Sequence, residues 1–155
     1  MERRDSQQGM DKLLRQLESD YIKAVKDNEN TTVEGFIEQF LYDSWDYNDK
    51  NLEDIKSVLG RYSDGEIYQG TFSKSFTEML KHLKMKLQQL DSAMEYPVLH
   101  TNNGASLLVA FVDGLVIQYY VGIYNVEKLR EMTSYIKSVI LHALKTEGTE
   151  SVELT

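Results

Sequence analysis

Apolar residues recur every three to four positions along most of the chain, which is the periodicity of amphipathic helices. Polar breaks such as Asp27–Asn30 and the segment around Pro97, the single proline, separate the periodic stretches. We predict that Thr31 caps the second helix, with Glu34 reaching back as in a capping box. The pattern therefore predicts an all-α bundle of about six helices, at roughly Asp5–Lys26, Val33–Trp45, Lys50–Arg61, Glu66–Leu90, Ala105–Val121 and Val126–Lys145.

The fifth predicted helix differs from the others because it is apolar on nearly every side. A membrane span is disfavoured, since Asp113 at mid-bilayer would cost about 2.5–3.5 kcal/mol and no basic cluster flanks the segment. A helix buried in a protein–protein interface explains the pattern better. One stripe of this helix combines small and large apolar residues, which permits close approach of another helix: Leu107, Ala110, Gly114, Ile117 and Val121.

Charge and cysteine content restrict the possible functions. The 155 residues include 17 Lys and Arg against 25 Asp and Glu, a net charge of -8, which disfavours binding to nucleic acid through this chain alone. The absence of cysteine excludes disulfides, zinc–cysteine sites and thiol catalysis, and it fits a reducing compartment. No apolar run follows the N-terminal charges, so we expect no signal peptide and a cytoplasmic protein.

No pattern in the sequence is typical of a catalytic site. The histidines His82, His100 and His142 are scattered, and Glu78 with His82 is the one pair at a metal-compatible helical spacing. We interpret that pair as solvated surface residues, because the further ligands of a di-metal helical bundle are missing. We therefore predict neither an enzyme, nor a metal site, nor a cofactor.

Aromatic residues provide the strongest indication of a binding site. Ten Tyr, five Phe and one Trp occur, many of them on the apolar stripes of different helices. Core packing alone could explain them, but converging helices could also enclose an apolar cavity with a few polar groups. Gln118 could orient a ligand, and Asp113 could contact a ligand or a structural partner. The predicted lining residues are Tyr21, Phe36, Phe40, Trp45, Tyr62, Phe72, Phe76, Met79, Phe111, Leu115 and Gln118.

Two stretches resemble the effector-binding domains of TetR-family transcriptional repressors. They are the octapeptide FVDGLVIQ, Phe111–Gln118, and FLYDSW, Phe40–Trp45, which precedes a short acidic helix. The order and lengths of the predicted helices agree with this resemblance over most of the chain. The helix-turn-helix domain of that family has no counterpart here, and residues 1–27 resemble the linker helix that follows it.

The resemblance implies a homodimer that senses a small, largely apolar molecule within residues 1–146, with a polar tail at 147–155. DNA would be contacted only through a helix-turn-helix domain that these residues do not contain. Helices within 103–145 of two subunits would form a four-helix bundle, to which the last helix would add Leu129, Met132, Ile136, Val139 and Ile140. The alternative is an all-helical dimerisation or protein-interaction module without a small-molecule ligand.

Overall fold

The structure, a computed structural model, describes residues 2–65 and 69–147, and it describes side chains over 12–65, 70–71 and 73–147. Within these ranges the chain is all-α, with six α-helices, a short 3₁₀ helix at Pro97–His100 and no strands. The predicted fold class is thereby confirmed. The helices are α1 Glu2–Asp27, α2 Val33–Lys50, α3 Leu52–Ser63, α4 Gln69–Leu90, α5 Gly104–Tyr120 and α6 Val126–Leu144.

Local capping interactions explain where two of these helices begin. The side chain of Asn125 accepts a hydrogen bond from the Lys128 backbone N–H at 2.8 Å and caps α6, as its position before the helix predicts. The prediction for α2 was wrong by one residue, because Thr32 rather than Thr31 accepts from Gly35 N. Glu34 accepts a hydrogen bond from the Tyr96 hydroxyl instead of closing a capping box.

The main core forms around α2, which packs most extensively against α6 and also contacts α5. Its fully buried side chains include Phe36, Ile37, Leu41 and Trp45. The indole Nε1 of Trp45 donates to Thr133 Oγ1 at 3.0 Å, so the one polar atom of this large side chain is satisfied inside the core. This contact fixes the register of α2 against α6.

A second, smaller apolar cluster joins α1 to α3. Leu14 and Val58 are its buried members, and Leu13 and Leu17 pack against them. Because α1 also packs along α4, and Val25 of α1 with Leu83 and Leu87 of α4 belong to the main core, these two helices connect the smaller cluster to the main core.

Helix α5 separates the main core from a surface that no described residue covers. Leu108, Val112 and Val116 are buried, whereas Leu107, Ile117 and other apolar residues of α5 remain exposed. Across the described ranges, no helix has both the length and the apolarity that crossing a bilayer requires. The exposed apolar stripe of α5 therefore needs another explanation.

Candidate ligand cavity

A cavity of about 460 Å³, partly open to solvent, is lined by residues of α1, α2, α3, α4 and α5. Its size is within the range of pockets that hold small organic molecules. Aliphatic and aromatic side chains make up most of its wall. The lining residues are Leu14, Leu17, Tyr21, Ala24, Phe40, Asp43, Ser44, Asp46, Tyr47, Asn48, Lys50, Ile55, Val58, Leu59, Phe76, Met79, Val109, Val112 and Asp113.

Aromatic rings from three helices meet at this wall. Tyr21 of α1 and Phe40 of α2 pack edge to face, with ring centroids 6.0 Å apart and planes at 86°. Phe76 and Met79 approach from α4. Rings in such an arrangement present both faces and edges to a bound molecule, so the wall suits a flat or aromatic ligand.

Two polar groups of the cavity lack partners. The hydroxyl of Tyr21 is buried without a hydrogen bond, and burial together with the charge of Asp113 raises the pKa of Tyr21 well above its ordinary value. No hydrogen bond or ion pair reaches the Asp113 carboxylate from the part of the chain that the structure describes. Its side chain keeps accessible surface, yet burial by the surrounding atoms raises the pKa of Asp113 to about 6.

The unpaired Tyr21 hydroxyl is unfavourable in a mostly apolar environment, and the exposed Asp113 carboxylate would become so once a ligand displaced its water. The carboxylate lies one turn beyond Val109 on α5, and the phenol belongs to α1, close enough for the charge of Asp113 to act on it. The site thus offers a bound molecule one hydrogen-bond donor and one anionic acceptor.

Polar side chains at the end of α2 form a further section of the wall. The Tyr47 hydroxyl donates to Asp20 Oδ2 of α1 at 2.8 Å, and the Tyr120 hydroxyl of α5 donates to Asn48 Oδ1 at 2.5 Å. Burial raises the pKa of Asp43, which also lines the cavity. The end of α2 is therefore hydrogen-bonded to α1 and to α5 while it faces the cavity.

We expect Asp113→Asn to stabilise the folded chain above pH 6. The folded state holds the Asp113 proton more tightly than the unfolded state does, so the stabilisation from protonation is present at low pH and lost as the pH rises through about 6. The free energy of unfolding of the variant should be about 1 kcal/mol higher at neutral pH, because water screens part of the penalty for ionising Asp113. Urea unfolding should show this gain at neutral pH and none below about pH 4. Equal stability of the two proteins at both pH values would contradict the expectation.

The structure brings together four of the residues predicted to line a pocket: Tyr21, Phe40, Phe76 and Met79. Phe36 and Trp45, also predicted to line the pocket, are 0% and 1% exposed, lie in the main core and have no part in the lining of this cavity. Their large side chains pack among the helices and leave no free surface for a ligand.

Three further predicted residues lie outside the lining of the cavity because of the orientation of α5. Successive residues of a helix turn by about 100°, so Phe111, Leu115 and Gln118 lie about 140–160° around α5 from Asp113. They line a groove between α5 and α6 instead of the cavity. Tyr62, near the end of α3, lies outside the lining of the cavity, and the side chain of Phe72 lies outside the described residues.

Sequence reasoning missed the polar end of α2 as part of the site. The predicted helix ends at Trp45, before Asp46, Tyr47 and Asn48, whereas α2 continues to Lys50. The continuation adds one turn whose polar residues face the cavity. The available signal was Lys50 itself, since a basic residue is favoured in the last turn of a helix.

The α5–α6 groove, of about 370 Å³, contains most of the residues predicted for a dimer interface. Leu107, Ile117 and Val121 are exposed beside it. Leu129 and Ile140, also predicted for the interface, are 1% and 0% exposed and belong to the main core, so neither side chain is available to a partner in this conformation. The groove is lined by Ala110, Phe111, Gly114, Leu115, Gln118, Met132, Tyr135, Ile136, Val139 and Ile140.

Among the described residues, no three His, Asp or Glu side chains come together as a metal site would require. Comparisons with protein-family models, with curated proteins and with solved structures give no match to this chain. The cavity, its two unpaired polar groups and the apolar groove are therefore the observations from which a function has to be argued.

Proposed function

We propose that the chain is the effector-binding and dimerisation domain of a TetR-like transcriptional repressor, and that it binds a small, largely apolar molecule in the cavity. The observation that carries this proposal is the 460 Å³ cavity with its apolar wall and its unpaired Asp113 and Tyr21. A wall with a few convergent polar groups is the usual form of a small-molecule site.

Energetics support a binding role over a purely structural one. The side chains around an empty cavity of this size lack the dispersion contacts that they would make in a filled core. A buried hydroxyl without a partner costs about 1–3 kcal/mol. A ligand that fills the space and pairs the hydroxyl would recover both contributions.

The order of the helices supports the assignment to a TetR-like domain. A long first helix is followed by a bundle whose last two helices, α5 and α6, leave an apolar face uncovered. The FVDGLVIQ sequence that resembles the family lies on α5, which contributes to both the cavity and this face. In the proposed regulator, DNA is contacted by a helix-turn-helix domain outside these residues.

We propose a second copy of this chain as the occupant of the α5–α6 groove. An isologous dimer requires that one face carry both a protrusion and a matching depression. Ile117 on α5 and Val121 directly after it are exposed, while Ala110 and Gly114 leave the groove open, with no atom within 4 Å of a Cβ built on Gly114. The α5 ridge of one subunit can therefore lie in the groove of the other.

Ligand binding could be transmitted through the end of α2. Tyr47 connects the cavity wall to Asp20 on α1, and Asp46 connects it to Arg130 on α6 through an Oδ1–Nη2 contact of 2.5 Å. A ligand that contacts this turn differently in two dimer arrangements would shift their populations and displace α1. In an intact repressor, α1 would carry that displacement to the DNA-binding domain.

A fluorescence titration with naphthalene derivatives tests the proposed function. We expect saturable binding with one site per chain, because the cavity is lined by residues of a single subunit. An intact dimer that binds none of these probes would instead support a helical interaction module without a ligand.

A further inference from the structure

The charged groups around the cavity are mostly acidic. Asp43, Asp46 and Asp113 line it, against one ammonium from Lys50. Asp46 is paired with Arg130, which has no part in the lining. Lys50 at the end of α2 and Asp113 on α5 are both exposed, so water screens both charges. With Asp46 paired to Arg130, Asp43 and Asp113 outnumber Lys50, and the lining of the cavity carries a net negative charge.

Asp113 is the group that a ligand must accommodate. It lies beside Val109 and Val112, and its pKa is raised by burial alone, with no opposing effect from a cation of the chain. At neutral pH the carboxylate is mostly ionised. A neutral ligand that displaced its water would leave an uncompensated charge, which is strongly unfavourable in a low-dielectric site.

We infer that the ligand of this cavity is a lipophilic organic cation whose ammonium group pairs with Asp113 and whose apolar body packs against Phe40 and Phe76. This inference rests on the proposed function, because it names the ligand class of the same site. Carboxylate pairing supplies the missing counter-charge of Asp113, and the aromatic and aliphatic wall covers the rest of the molecule.

The aromatic residues favour the same class of ligand. An organic cation is attracted to the face of an aromatic ring, and the attraction strengthens when water is excluded. Rings of Tyr21, Phe40, Tyr47 and Phe76 line the cavity. The unpaired hydroxyl of Tyr21 adds a donor for an oxygen or nitrogen acceptor elsewhere on the ligand.

Three probes of similar shape and different charge test the inference: naphthylethylamine, naphthylethanol and naphthylacetic acid. Each is titrated against the full chain and against two variants, with calorimetry as the readout. Asp113→Asn removes the unpaired carboxylate at nearly constant volume. Asp64→Asn is the matched control, since it removes an exposed carboxylate that has no part in the lining of the cavity.

We expect the amine to bind about tenfold more tightly than the alcohol, which corresponds to about 1.4 kcal/mol, and the acid to bind most weakly. Asp113→Asn should remove the advantage of the amine, because the amine loses its counter-charge and the alcohol no longer leaves the carboxylate uncompensated. Asp64→Asn should preserve that advantage. If the acidic surface as a whole attracts the amine, Asp113→Asn will still bind the amine more tightly than the alcohol. That result would overturn the inference.

The failures of the inference and of the proposed function are distinguishable. Binding of the alcohol as tightly as the amine overturns the assignment of a cationic ligand and leaves the ligand-binding function standing. If Asp113→Asn still prefers the amine over the alcohol, the role of Asp113 as partner of the ammonium group is overturned, and the ligand-binding function stands. Failure of all three probes to bind overturns both the inference and the proposed function.

Discussion

Replacing Gly114 with arginine is expected to convert the dimer into a monomer. Gly114 lies in the α5–α6 groove, where a second copy is proposed to pack. The side chain would fit the isolated subunit, since a Cβ at this position meets no atom within 4 Å. In a dimer, however, it would bury an unpaired charge, at a cost of several kcal/mol. Self-association should therefore weaken more than about a hundredfold.

Sedimentation of the two proteins at micromolar concentration measures this effect. Gly60→Arg on α3 is the matched control, because its Cβ also has open space and Gly60 has no part in the groove. We expect the control to remain dimeric and both variants to keep the helical content of the parent. A parent protein that sediments as a monomer would contradict the proposed interface.

The second large effect is expected for Phe76→Ala, which should abolish probe binding while the fold survives. Phe76 is partly buried and lines the cavity from α4. Truncating it enlarges a space that already exists, so the loss of stability should stay near 1 kcal/mol. The ligand would lose an aromatic contact, and such contacts provide much of the affinity in an apolar site.

Phe36→Ala is the corresponding core variant. Phe36 is 0% exposed in the main core, so its truncation should destabilise the chain by about 3–5 kcal/mol. Melting curves of both variants, with and without naphthylethylamine, separate the two cases. A large destabilisation by Phe76→Ala, together with no ligand response in the parent protein, would show that Phe76 is ordinary core.

Local patterns in the sequence were sufficient to predict the helices. The apolar stripe of α6 and its Asn125 cap gave the position of that helix almost to the residue. These features are local, because periodicity and capping depend on residues within one or two turns. The all-α class follows from them directly.

The assignment of each stripe to the core or to the cavity could not be predicted. Phe36 and Phe40 are four residues apart on α2 with nearly parallel rings, yet Phe40 alone lines the cavity. The difference depends on where α1 and α4 pack, which are contacts between residues distant in sequence. Phe111 and Gln118 were predicted to line the cavity but lie in the α5–α6 groove. Because α5 is apolar on all sides, its sequence pattern does not indicate which side faces the cavity.

Polar residues near apolar stripes were more informative than the aromatic residues alone. Asp113 could be recognised from the sequence as an unfavourable charge in an apolar helix, and the structure places it at the cavity wall. Its counterpart Tyr21 gave no such signal, since a tyrosine on an apolar stripe usually finds a hydrogen-bond partner. The missing partner became visible only when the helices were assembled.

A methyl NMR titration with naphthylethylamine tests the central claim most directly, because it shows where a ligand binds. The account predicts saturable shifts for the methyl groups of Leu17, Met79 and Val112, which line the cavity, with Val139 in the α5–α6 groove unaffected. Shifts confined to Val139 and its neighbours in the groove, or no saturable shifts at all, would contradict the account.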